Sequence, residues 1–171
     1  MTADLLAALA QAESSGNPVV RTYWKWNFSR LDRLYAPASS SVGMFQITEG
    51  TFDEAKQYCL VEGIPIHQRE GDLRCYGSLF YSRLVPSHAI EMTSARLHFL
   101  VDQVLSDHQI KNVTVKQKQD LAVIIHLCGL QKGRQLARAG LRASRIGLCG
   151  DHSPVAYLNR VASYQRKFKL L

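Results

Sequence analysis

No apolar run in this 171-residue chain approaches the ~20 residues that a membrane-spanning helix needs, so no transmembrane segment is expected. Phosphate-cradling P-loops and dinucleotide fingerprints are missing, which removes the common nucleotide-binding classes. The four cysteines, Cys59, Cys75, Cys128 and Cys149, form no CxxC pair, and their spacings do not build a zinc cluster. The six histidines (His67, His88, His98, His108, His126 and His152) are scattered. His88 and His98 share a predicted helix, but not at the i, i+3 or i+4 spacing of a ligand pair. No metal and no cofactor are therefore expected. A Cys–His nucleophile is also disfavoured, because His126 and Cys128 stand two residues apart on one predicted helix and do not face each other. Repeats, low-complexity segments and internal linkers are lacking too. The first residues carry Asp4 and no basic n-region, so no signal peptide is expected at this end. The chain opens almost directly on a helix, as a domain cut from a longer exported protein would.

Acidic residues are the minority: 14 Asp and Glu stand against 21 Lys and Arg, a net charge of +7. The excess falls late, at Lys132, Arg134, Arg138, Arg142 and Arg145, then at Arg160, Arg166, Lys167 and Lys169. Such a surface suits an anionic polymer, whether nucleic acid, acidic lipid or bacterial wall material, or else serves solubility alone. No nucleic-acid motif sharpens the signal. Apolar residues make up 46% of the chain and charged ones 20%, which suits one folded domain over residues 1–171 rather than a disordered segment. Sequence order pairs Cys59 with Cys75 and Cys128 with Cys149 in an oxidising compartment; in a reducing one the same residues would be buried thiols.

Capping and breaker signals predict a mainly α domain of six or seven helices, with a small irregular or β insert after the first. That first helix covers about 2–15. The insert, about 18–41, interleaves Tyr23, Trp24, Lys25, Trp26, Phe28 and Tyr35. Its aromatics read either as a sugar- or base-stacking platform or as a cover for the core. Thr51-Phe52-Asp53-Glu54 reads as the capping box of a helix ending at Gly63. A further helix is expected over about 72–85, broken by Pro86. Ser87 then caps a long helix over about 88–107, with Ile90, Ala95, Leu97, Leu100, Val101, Val104 and Leu105 on its buried face. Thr114 and Gln117 form a second capping box. It opens a core helix that carries Leu121, Ile124, Ile125 and Cys128 and stops at Gly129. A short basic helix over about 132–139 ends at Gly140. Ser153 and Pro154 open the last helix, which runs to about Phe168 and carries Tyr157, Val161 and Tyr164.

The stretch around which the chain is organised is Glu13-Ser14-Ser15-Gly16-Asn17-Pro18. Leu5, Leu6, Ala8, Leu9 and Ala12 form an apolar stripe before it, and Glu13 extends that face. Gly16 and Pro18 stop the helix, so Glu13 falls in its last turn. Apolar neighbours and the negative end of the helix dipole both disfavour a charged carboxylate, which is the setting of a general acid. The alternative is a solvated glutamate at a fraying helix end. A second segment, Gly43-Met44-Phe45-Gln46-Ile47, follows three serines at 39–41. Gly43 permits close backbone approach, and Gln46, polar amid apolar neighbours, needs a partner that a substrate could provide.

Together these two segments resemble the paired signature of the soluble lytic transglycosylase domain, a lysozyme-like fold. The family's usual form is an ES-x-NP segment, then G-(L/M)-(M/F)-Q-I after a serine-containing loop. The stretch from Leu121 to Arg134 is similar to the family's apolar helix ending in an AYNAG-like motif, and Tyr157-Leu158-Asn159-Arg160-Val161 to its final YVxRV-like helix. Four short motifs in the right order span nearly the whole chain. The resemblance implies that Glu13 is the sole catalytic acid/base. It also implies that Met44, Gln46 and Tyr157 lie in the cleft and that one of Ser39, Ser40 or Ser41 serves as the loop serine, Ser41 standing nearest the motif. Trp24, Tyr35 and Trp26 are the candidates for stacking on sugar. One departure stands out: His126-Leu127 occupies the place of the usual Tyr-Asn. His126 can still bring a polar group to the cleft or can be a core histidine, whereas Leu127 cannot replace an amide.

The resemblance further implies cleavage of the β-1,4 bond between N-acetylmuramic acid and N-acetylglucosamine in peptidoglycan, with formation of a 1,6-anhydro product and no consumption of water. A second carboxylate, which an inverting hydrolase needs, is then unnecessary; Asp32 is the nearest candidate for one. The alternatives are a lysozyme-type hydrolase on the same fold and an inactive peptidoglycan-binding domain; a nucleic-acid-binding module is more remote. The implied location is periplasmic or otherwise extracytoplasmic, with a secretion, conjugation or phage-tail assembly as the machine such an enzyme serves. Export favours the two disulfides, Cys59–Cys75 tying two helices and Cys128–Cys149 tying the core helix to the segment before the last.

Overall fold

Four long amphipathic segments become four long helices, and their apolar faces make one core. A computed structural model of the protein describes residues 1–20, 24–26, 35–37, 41–68 and 74–170. Helix α1 (Ala3–Ser14) packs on α5 (Pro154–Phe168), and α3 (Pro86–Asp107) on α4 (Val115–Arg138). Leu5, Leu9, Met92, Leu97, Leu100, Leu121, Ile124 and Ile125 are among their fully buried side chains. Each contributes roughly 1.5–3 kcal/mol of transfer free energy. Thr114 and Gln117 form the predicted capping box at α4: the Thr114 Oγ1 accepts from the Gln117 amide at 3.2 Å, and the Gln117 Oε1 accepts from the Thr114 amide at 2.9 Å. Ser153 caps α5 and Pro154 is its first residue, as expected.

The insert after α1 contains a short antiparallel pair, β1 (Trp24–Trp26) with β2 (Tyr35–Pro37). The fold is thus mainly helical with small β elements. Several boundaries differ from expectation. Helix α2 is Glu49–Ala55, capped by Thr48 rather than Thr51, and it does not continue to Gly63. Residues 58–67 instead form a hairpin, β3 (Tyr58–Val61) with β4 (Ile64–His67). Its two-residue loop, Glu62-Gly63, has positive φ at both positions (52° and 79°), as the favoured tight hairpin turn requires. The helix expected over 72–85 is, among the described residues, a single 3-10 turn, Tyr76–Phe80. Helix α3 begins at Pro86, whose missing N–H is harmless in a first turn, so Pro86 opens the helix it was expected to precede. Ile90, expected on the buried face of α3, is exposed.

The stop at Gly129 is a kink rather than an end. Helical hydrogen bonding resumes beyond it, while Gly129 itself has φ 78° and ψ 171°, a region essentially restricted to glycine. Both cysteine pairs form: Cys59–Cys75 and Cys128–Cys149. The first ties β3 to the 3-10 turn rather than helix to helix. The second joins α4, at its kink, to the segment leading into α5. Among the described residues no helix is long and apolar enough to cross a membrane.

Candidate active site

Glu13 lies in the last turn of α1, half-buried on the face that meets α5. The helix stops because Ser15 turns left-handed (φ 56°) and Gly16 follows; the Gly16 amide donates back to the Ala10 carbonyl at 3.0 Å, closing the end. Ser14 links this end to the second motif. Its hydroxyl lies 2.9 Å from the Met44 carbonyl and 3.1 Å from that of Ala10, sharing one proton between two acceptors.

The 41–47 segment is a closed turn. Val42 and Ile47 pair in both directions, at 3.2 and 3.0 Å, and the Gly43 amide donates to the Val20 carbonyl at 2.8 Å. Gly43 has φ 80°, and a Cβ there would meet the Arg83 carbonyl oxygen at 2.2 Å, so only glycine fits. Phe45 and Ile47 are buried, Met44 half-buried. Gln46 adopts φ 47°, which folds its side chain back over the turn. Its Nε2 donates to the Gly43 carbonyl at 2.9 Å and its Oε1 accepts from the buried Ser41 hydroxyl at 3.1 Å. The partners of the Gln46 amide therefore include the chain itself, and Gln46 and Ser41 shape the turn.

Two further helices close on Glu13. Tyr157 of α5 is buried, and its hydroxyl donates to Glu13 Oε1. Burial, then the Glu13 charge, pushes the phenol well above its ordinary range, so it remains a donor at physiological pH. His126 comes from α4, three residues before the kink, and meets the buried Phe45 ring edge-on at 6.3 Å between centroids. Burial holds the imidazole below its ordinary pKa. The Glu13 charge opposes that shift, and the buried Arg96 cation reinforces it. Arg96 is held by Glu54 at 2.8 Å. Leu127, next in the chain, packs on the hydrophobic core. Three contacts thereby join the segments around Glu13: Ser14 to Met44, Phe45 to His126, and Tyr157 to Glu13, with Gln46 placed only as the neighbour of Phe45 in the 43–47 turn.

Not every expected residue can be placed. The side chains of Trp24, Trp26 and Tyr35, and the whole of Asp32, Ser39 and Ser40, lie outside the described residues. Three residues not singled out as site residues from the sequence belong to the site's surroundings: Ser14, Arg96 and Arg160. Arg160 follows Tyr157 by three residues, the spacing that brings side chains together on a helix, and its guanidinium carbon lies 4.9 Å from the Tyr157 ring centre. A cavity of about 320 Å³ between α1, α4 and α5 is lined by Leu5, Val123 and Val161 among others. Leu5 is roughly 12 Å from Glu13 along α1, so that cavity belongs to the other end of the helix. Among the described residues no three of His, Cys, Asp or Glu gather as metal ligands.

No protein-family model matches the chain. Searches of curated proteins and of solved structures find no match either.

Proposed function

We propose that the protein is a peptidoglycan lytic transglycosylase that uses Glu13 as its single acid/base. The observation that carries the reading is the meeting of distant segments at one carboxyl group: the Tyr157 hydroxyl on Glu13 Oε1, with the 43–47 turn tied to the same helix end by Ser14. A carboxyl with one oxygen engaged by a phenol that burial holds protonated at physiological pH has the other available for proton transfer. In the proposed reaction protonated Glu13 donates from Oε2 to the glycosidic oxygen, and the C1–O4 bond breaks. The muramyl C1 becomes oxocarbenium-like, assisted by the substrate's own N-acetyl group. The muramyl 6-hydroxyl then forms the new bond to C1 and returns its proton to Oε2. The product is 1,6-anhydro, Glu13 is regenerated, and no water enters.

His126, its pKa lowered by burial, fits the reading as a neutral polar group near Glu13. The two disulfides persist in an oxidising environment, which agrees with an extracytoplasmic, periplasmic workplace, and the net charge of +7 suits a wall polymer bearing carboxylates. Release of soluble glycan from purified peptidoglycan tests the assignment. Glu13→Gln is expected to lose at least ~10²–10⁴-fold in turnover, the contribution of a positioned acid/base, with an unchanged melting curve. Equal release by both proteins would remove Glu13 from the mechanism.

A further inference from the structure

Several cations of α4 and of the end of α5 are turned toward carboxylates: Lys169 to Asp4, Lys116 to Asp120, Arg134 to Asp107. Arg160 is different. It is exposed, has no ion-pair partner among the described residues, and lies across the buried Tyr157 ring at 4.9 Å. That ring carries the hydroxyl bonded to Glu13, and Arg160 lies close enough to the same hydroxyl to oppose the rise in its pKa. The guanidinium thus lies beside the phenol that binds the proposed acid/base. A guanidinium held over an aromatic ring is already ordered, and those of its five N–H donors that the phenol does not take remain for a planar anion. The fork of donors matches a carboxylate bidentately, which a phenol or an amide cannot exploit as well.

We infer that Arg160 forms a carboxylate-binding subsite beside the catalytic centre, which reads a free carboxylate of the peptide stem borne by the muramyl residue at the scissile bond. This rests on the transglycosylase reading. It adds to it the chemical class recognised next to the cut and the residue that recognises it.

The test compares two preparations of one substrate: stem-bearing glycan strands with free carboxylates, and the same strands with those carboxylates capped as amides. Wild type, Arg160→Gln and Arg160→Lys are assayed on both. Wild type is expected to prefer the free-carboxylate strands. Arg160→Gln is expected to reduce that preference about tenfold, the scale of one charge-assisted contact, mainly through KM. Arg160→Lys is expected to recover part of it, because charge returns without the fork. Because Arg160 is exposed, the variants are expected to melt as wild type does. An unchanged preference in Arg160→Gln, or an equal loss on both substrates, overturns the subsite while leaving the transglycosylase reading intact. Absence of cleavage by wild type on either preparation overturns both.

Discussion

Tyr157 joins two demands that usually compete, a buried ring and a hydrogen-bonded hydroxyl at a carboxylate. Removing the hydroxyl while keeping the ring separates them. Tyr157→Phe is expected to lower kcat by about 10–100-fold, the worth of a hydrogen bond to a charged or proton-transferring group, with KM little changed. Steady-state kinetics on glycan strands check it. The same residue makes an alkaline prediction. Burial raises its folded pKa above the ordinary tyrosine value of about 10, so above that pH the unfolded chain releases the proton first. The folded state then binds more protons than the unfolded one, and stability falls as pH rises past 10. Tyr58 and Tyr81, also raised by burial, add to the loss. Denaturant midpoints at pH 8 and pH 11 are expected to fall farther apart for wild type than for Tyr157→Phe; an equal gap would contradict the assignment. At this scale Glu13 was legible because its position depends only on helical spacing and a stop signal. The Gln46 contacts were not. They follow from a left-handed φ of 47° at a non-glycine residue, which composition does not announce.

Among the elements, the helices with two-ended signals were the readable ones. The Thr114 box and the Ser153-Pro154 start were readable from four or fewer residues, and both form as read. The β3–β4 hairpin was missed because Gly63 serves equally as a helix stop and as the second residue of a tight turn. The discriminating signal was the β-branched pair flanking it, Val61 and Ile64, together with Pro65, which suits an edge strand better than a helix interior. The 43–47 turn depends on one position. Gly43→Ala would force a left-handed Cβ against the Arg83 carbonyl oxygen. The expected cost is roughly 2–4 kcal/mol, read as a lower denaturant midpoint. Because Ser14 binds this turn, activity should fall further than stability alone explains. A variant as stable as wild type would show that the turn relaxes freely.

For the whole molecule, a mainly helical domain was legible from apolar periodicity, though six or seven helices were expected and five α-helices form among the described residues; sequence order gave the cysteine partners but left open whether they would bond. The role of the first pair was not legible, because it required knowing that Cys59 lies in a strand. The bridges close loops of 16 and 21 residues, so on chain-entropy grounds each contributes about 3 kcal/mol. Replacing either pair by serines is expected to lower Tm by roughly 6–12 °C. The Cys128–Cys149 replacement should reduce activity more, since that bridge joins the helix bearing His126 to the segment leading to Tyr157. The proposed chemistry turns on a single proton and a single hydroxyl, whose fate is read by mass spectrometry of the glycan products formed in ¹⁸O-labelled water. Anhydromuramyl ends without label are expected from wild type and none from Glu13→Gln. Labelled reducing ends would contradict that chemistry, since they mean that water, and not the substrate's own 6-hydroxyl, attacks the anomeric carbon.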